Sequence, residues 1–246
     1  MSLWRLEWLR LNRTRRLLLL VGVFVFFAIL GPITTRYLPE ILEQVGAGIE
    51  ITLPEPTAEL ALAEFMSNAL QIGVLAVAFV AAAALAFDAN QEMAVFLRTR
   101  ASIVSIVTPR FVVSAGASVI ALILGAAVAF SEVGVLFDWP DPVRYVIAVA
   151  LISLYLVFTV ALAALVAAFV RSVPAVALIT VGILILLGIL SLVPGLGRWL
   201  PSALAGGFDA TIAGGNFTFW PTISATILII GTMLWLTVVR LEGREV

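Results

Sequence analysis

The sequence predicts an all-α, polytopic membrane protein with six transmembrane helices, an N-terminal interfacial helix and short outer hairpin helices between spans five and six. Of its 246 residues, 63% are hydrophobic and only 12% are charged. A soluble domain is about half apolar and about a quarter charged, because charge must cover its surface. Six apolar stretches and a one-sided distribution of arginine complete the case for a membrane protein.

Six apolar stretches are long enough to cross about 30 Å of hydrocarbon, which takes about 20 helical residues. They lie at 17–35, 61–87, 111–133, 143–170, 173–194 and 219–239. The fourth and fifth stretches meet at Arg171 and Pro174, and a proline there predicts a tight turn between two spans. The whole chain, 1–246, is therefore predicted to form one transmembrane domain.

The arginines predict the orientation of the spans. Eleven of them fall on one side of the membrane and three on the other. The first group comprises Arg5, Arg10, Arg13, Arg15, Arg16, Arg98, Arg100, Arg110, Arg171, Arg240 and Arg244, and the second Arg36, Arg144 and Arg198. Because the arginine-rich side faces the cytoplasm, we expect both termini to be cytoplasmic, in a multi-pass protein of a prokaryotic plasma membrane.

The composition also excludes several classes of function. The chain has no cysteine, no histidine and no lysine. Zinc sites of the Cys/His type, histidine-based nucleophilic catalysis and a nucleotide-binding P-loop all need one of these residues. We therefore expect a non-catalytic chain with no metal, no cofactor of its own and no nucleic-acid partner.

Residues 1–16 are predicted to form an interfacial helix. Trp4, Trp8 and Leu11 recur at helical spacing and would share one apolar face. Arg10, Arg13 and Arg16 could then reach lipid headgroups. The alternative is a basic flank that only sets the topology.

The outer segment at 195–218 is unusually apolar. Its large apolar side chains recur every four residues, as Leu200, Leu204, Phe208 and Ile212. Short helices that dip into the membrane would explain such a segment. The alternative is a collapsed surface loop.

The second span carries a polar stripe. Glu64, Ser67, Asn68 and Gln71 follow helical spacing and share one face in the outer half of the span. Because polar groups facing lipid are costly, the stripe should face protein or a water-filled path. It could line a translocation path, or it could hydrogen-bond within the bundle or across a dimer.

The third span carries small residues on one face. They are Ser114, Ala117, Ser118, Ala121 and Gly125. This pattern is typical of helices that pack closely in membranes, and we interpret it as a packing face.

The cytoplasmic loop 88–110 mixes both charges with apolar residues. Such a loop could dock a soluble protein, or it could carry only topological charge. It holds an acid at Asp88, the pair Phe96-Leu97, a Thr99-Arg100 turn and a basic residue, Arg110, at the start of the third span.

With these features in this order, the chain resembles the permease subunits of the type-2 ABC exporter family over nearly its whole length. The segments at 54–57, before the second span, and 199–204, before the last, are also similar to members of that family. The resemblance implies a coupling helix within 88–105 that binds a separate, soluble P-loop ATPase, and outward hairpin helices within 199–215. The coupling residues would be Asp88, Glu92, Phe96, Leu97, Arg98, Thr99, Arg100 and Arg110.

The resemblance further implies that two permease chains pair, as a homodimer or a heterodimer, and that ATP and Mg²⁺ bind to the partner ATPase. Two alternatives stay open: a self-sufficient carrier or channel, and a membrane scaffold without transport. The predicted spans hold no charged residue deep in the bilayer, which disfavours proton or sodium coupling. The transported substrate stays open.

Overall fold

The computed structural model of the protein describes residues 3–44, 55–86, 99, 101–193, 195–215 and 217–243. These residues form helices and connecting turns. The helices are α1 (Leu3–Arg13), α2 (Arg16–Gln44), α3 (Ala58–Leu85), α4 (Ile103–Leu136), α5 (Pro142–Ala167), α6 (Val173–Leu190), a 3₁₀ helix (Gly197–Trp199), α7 (Ala203–Ile212) and α8 (Trp220–Glu242).

Six of these helices, α2 to α6 and α8, are long and apolar enough to cross a membrane. The predicted all-α, polytopic fold is confirmed. The remaining α-helices are short: α1 precedes the first span and α7 lies between the fifth and the sixth. They mark the two ends of the bundle, which we call the α1 end and the α7 end.

Two spans are longer than hydropathy predicts. Helix α2 continues beyond the predicted end at 35, and α4 begins before the predicted start at 111. With 34 residues, α4 is about 51 Å long at the usual rise of 1.5 Å per residue. The predicted loop 88–110 is therefore too long, since residues 103–110 are helical. Hydropathy marks the apolar part of a helix, and the backbone can stay helical beyond it.

Helices α3 and α5 form the centre of the bundle. Helix α5 contacts α3, α4, α6, α7 and α8, while α2 packs mainly against α3 and α4. The large side chains that are fully buried include Phe24, Phe65, Phe158 and Phe208. Much of α6 and α8, in contrast, is exposed in the single chain.

Small residues let α2 approach its neighbours closely. The five small residues of the third span are all buried, in agreement with a packing face. A Cβ atom on Gly125 of α4 would lie 2.7 Å from the Cβ of Phe24. A Cβ atom on Gly31 of α2 would lie 2.8 Å from the backbone of Phe65. Because backbone atoms cannot move aside cheaply, larger residues here would push α2 outward.

We expect Gly31→Ala and Gly125→Ala each to lower the free energy of unfolding by about 1–3 kcal/mol, the usual cost of overpacking. Gly22→Ala and Gly116→Ala are matched controls on the same two helices, because nothing lies within 4 Å of a Cβ at either position. Unfolding in mild detergent micelles titrated with a denaturing detergent measures the difference. Equal stabilities of the test and control variants would contradict the close approach.

Candidate functional site

At the α1 end, charged side chains of α1 and α4 bind each other and the last carbonyls of α3. The Arg110 Nε of α4 lies 3.0 Å from the Glu7 Oε1 of α1. The Arg110 Nη1 donates a hydrogen bond of 2.9 Å to the Ala84 carbonyl of α3. The Arg10 Nη2 donates one of 3.0 Å to the Ala83 carbonyl. We call Glu7, Arg10, Arg110 and these two carbonyls the arginine clamp.

The clamp satisfies the end of α3. The last four carbonyls of a helix lack partners within it and carry partial negative charge. The Ala86 N–H closes the last turn on Ala82, and the two guanidinium groups cover the next two carbonyls, Ala83 and Ala84. Positive charge at a helix C-terminus is also favoured by the helix dipole.

The charges of the clamp are largely removed from solvent. The exposed fraction of the side chain is 6% for Arg110 and 11% for Glu7. Arg10 is more exposed and lies 3.7 Å from Glu7. A buried guanidinium and a buried carboxylate are each costly alone, so each depends on the other.

The burial of Arg110 differs from the sequence prediction. Arg110 was placed at the end of a loop that would bind a partner, whereas the structure buries it against α1 and α3. Thr99 is described and exposed. The other predicted coupling residues, Asp88, Glu92, Phe96, Leu97, Arg98 and Arg100, lie outside the described residues. The clamp therefore holds the helix before that segment and the helix after it.

Helix α1 forms where it was predicted, but its side chains divide differently. Leu11 is buried in the bundle core, whereas Trp4 and Trp8 are exposed. Arg10, predicted to reach lipid headgroups, instead bonds to α3. The single apolar face predicted from the spacing is thus shared between the bundle and the exterior.

The polar stripe of α3 faces the exterior of the single chain. Glu64, Ser67 and Gln71 are exposed and Asn68 is half-buried. The Asn68 Nδ2 donates to the Glu64 Oε1 at 2.7 Å, and the Gln71 Nε2 donates to the Ser67 Oγ at 3.4 Å. Among the described residues these bonds stay within α3. Within the part of the chain that the structure describes, the stripe therefore does not join α3 to a neighbouring helix.

A cavity of about 500 Å³ lies between α2 and α3 beside the stripe. Its lining comprises Phe27, Leu30, Thr34, Thr35, Leu38, Pro39, Leu60, Glu64 and Asn68. Leu38 and Pro39 were missed in the sequence because they lie beyond the predicted end of the first span. The other α2 residues lie within that span, but hydropathy does not show which of its side chains face α3. In the described part of the chain, no group of three or more acidic side chains could hold a metal ion.

The α7 end is fixed by hydrogen bonds from hydroxyl groups. Ser202 donates to the Leu187 carbonyl of α6 at 2.8 Å, and Thr222 of α8 donates to the Arg198 carbonyl at 2.7 Å. Helix α7 packs against α5, with Phe208 fully buried. On the same helix, loss of hydration raises the pKa of the Asp209 carboxyl.

No protein-family model matches the chain, and no solved structure matches it. It is similar to the uncharacterized transmembrane protein YxlG of Bacillus subtilis (strain 168), with 22% identity over 209 residues. The match covers 83% of this chain and 81% of that protein. This similarity and the six helices suited to crossing a bilayer together indicate a multi-pass transmembrane protein.

Removing one charge of the clamp should destabilise the protein. We expect Glu7→Gln and Arg110→Gln each to lower the free energy of unfolding by about 3 kcal/mol, because each change breaks a buried ion pair. Arg5→Gln is the matched control, since Arg5 is exposed on α1, and it should change stability by less than about 0.5 kcal/mol.

A double variant separates charge pairing from simple loss of packing. Glu7→Gln combined with Arg110→Gln removes both charges of the pair, so its loss of stability should be smaller than the sum of the two single losses. The same detergent titration measures all four variants. A double variant that loses the sum of the two single losses would mean that the two charges do not depend on each other.

Proposed function

We propose that this protein is the transmembrane permease subunit of an ATP-driven ABC exporter. Two permease chains would form the translocation path. A separate soluble ATPase would bind ATP and Mg²⁺ and drive transport. The permease itself would catalyse no reaction.

The order of elements supports this proposal. A short helix precedes the first span, and another short helix lies between the fifth and sixth spans. The segment between α3 and α4 is where the sequence resemblance places the coupling helix. These features agree with a type-2 exporter permease in kind and in order.

The arginine clamp is the observation that carries the proposal. It ties the end of α3 and the start of α4 to α1 through Arg110 and Glu7. A force applied to the intervening segment would therefore act on three helices together. An ATPase that binds this segment needs such a connection to move the spans of the permease.

The exposed polar stripe supports pairing with a second chain. Polar side chains that face hydrocarbon are costly, so Glu64, Ser67 and Gln71 need protein or water opposite them. Their hydrogen bonds within the described part of the chain do not bury them. A translocation path between two permease chains would supply such surroundings.

A self-sufficient ion-coupled carrier fits the structure less well. Such carriers place charged side chains near the middle of the membrane. Among the described residues, Arg110 is the one charged side chain that is fully buried, and it lies in the second turn of α4. A scaffold without transport would lack any ATPase activity that responds to the permease.

The orientation can be tested with single cysteines, because the chain contains none. We expect cysteines replacing Leu97 and Ser102 to react with a membrane-impermeant maleimide only after the cytoplasmic side is exposed. A cysteine replacing Asp138, in the turn between α4 and α5, should react in intact cells. Labelling at position 97 or 102 in intact cells would contradict the predicted orientation.

The coupling role can be tested by charge reversal. We expect Arg98→Glu combined with Arg100→Glu to lower the amount of co-purified ATPase at least fivefold, because a docking surface of opposite charge would become repulsive. Arg171→Glu is the matched control, since Arg171 is exposed in the α5–α6 turn, on the same predicted side.

Co-purification is measured together with the unfolding transition of each variant, which should stay unchanged. Stimulation of the ATPase by the permease gives a second readout. If the double variant retains both the ATPase and its stimulation, the segment 88–105 does not couple the two proteins.

A further inference from the structure

The cavity between α2 and α3 has the size and position of a binding site. Its volume of about 500 Å³ lies within the range of about 300–1,000 Å³ typical of small-molecule sites. It lies near the end of α3 opposite the clamp, between two helices that each contribute apolar and polar residues. A ligand there would reach the bilayer and the polar stripe at once.

The apolar walls of the cavity run along α2. Phe27 and Pro39 bound a stretch of about 18 Å at 1.5 Å per residue. Leu30 and Leu38 of α2 and Leu60 of α3 are each more than a third exposed in the single chain. These walls would accept an elongated or aromatic apolar body.

The polar groups of the cavity are mostly acceptors. The Thr34 and Thr35 hydroxyls donate to carbonyls of α2 at 2.8 and 3.0 Å, so their oxygen lone pairs remain for a ligand. The Glu64 Oε1 accepts from Asn68 at 2.7 Å, and within the described part of the chain its carboxylate forms no ion pair. This carboxylate is the one ionisable group among the lining residues.

Among the described residues, the positive side chain nearest to the cavity in sequence is Arg36. Arg36 is two residues from both Thr34 and Leu38, which places it on the opposite face of α2. It does not belong to the lining. The described residues that line the cavity thus combine apolar walls with one carboxylate and no basic side chain, which is complementary to a cation with an apolar body.

We propose that this cavity binds an amphipathic cation, with its apolar body against Phe27, Leu30 and Leu60 and its positive group at the Glu64 carboxylate. This inference rests on the proposed exporter function in one respect: such a cation would be the class of cargo that the exporter carries. Binding itself needs no ATPase.

Equilibrium binding of tetraphenylphosphonium tests the proposal. The full chain, with any subunit that co-purifies, is placed in lipid nanodiscs, and empty nanodiscs give the background of partition into lipid. We expect saturable binding that Glu64→Gln weakens about tenfold or more, because a charged contact becomes a neutral one. Glu59→Gln, five residues earlier on α3 and outside the lining, should stay within twofold of the unaltered protein.

Two further comparisons address the walls and the charge of the ligand. Leu30→Trp should fill the cavity and weaken binding. Ile29→Trp is the matched control, because Ile29 is exposed but lies outside the lining, and this variant should bind the cation as the unaltered protein does. Tetraphenylborate has a similar apolar body and a negative charge, so it should show no saturable binding. Unfolding transitions of all variants serve as the check on folding.

Equal affinities of the Glu64→Gln and Glu59→Gln proteins, or no saturable binding to the unaltered protein, would overturn the proposal. Equal affinities would mean that the cation binds elsewhere on the protein, and no saturable binding would mean that the cavity is not a site for such cations. The exporter function is judged separately by the co-purified ATPase. A co-purified ATPase without cation binding would support the exporter function and contradict an amphipathic cation as its cargo.

Discussion

The buried guanidinium of Arg110 constrains the rest of the structure most strongly. A charge with 6% of its side chain exposed needs a partner of opposite sign and acceptors for its N–H groups. Glu7 supplies the opposite charge, and the Ala84 carbonyl is one of the acceptors. Meeting these needs fixes where α1 lies, where α3 ends and how far α4 extends beyond the apolar core.

Helix α3 joins the arginine clamp to the cavity between α2 and α3. Its C-terminal carbonyls belong to the clamp, and its first half carries Glu64 and the cavity. The helix has 28 residues and is about 42 Å long. Because Gly31 and Gly125 let α2 pack closely against α3 and α4, a displacement at the clamp would move the cavity wall on α2 as well. If the proposed function holds, this connection would link the ATPase to the proposed cation site.

Hydropathy predicted the six spans because each apolar run must be buried in lipid or protein. It could not predict that α2 and α4 stay helical beyond those runs, since neither helix must end where the bilayer ends. The burial of Arg110 was missed because its partner, Glu7, lies far away in the sequence. One signal was available: Glu7 is the single acid among five arginines in the first 16 residues. The cavity was missed because hydropathy does not show which face of the first span packs against α3, and because Leu38 and Pro39 lie beyond the predicted span.

The most direct test of the account is a pull-down of the tagged chain from its native membrane in mild detergent, followed by mass spectrometry. The account predicts a soluble P-loop ATPase in stoichiometric amounts, together with a second permease chain. An intact permease that repeatedly purifies without any ATPase would contradict it, and would favour a carrier or a scaffold instead.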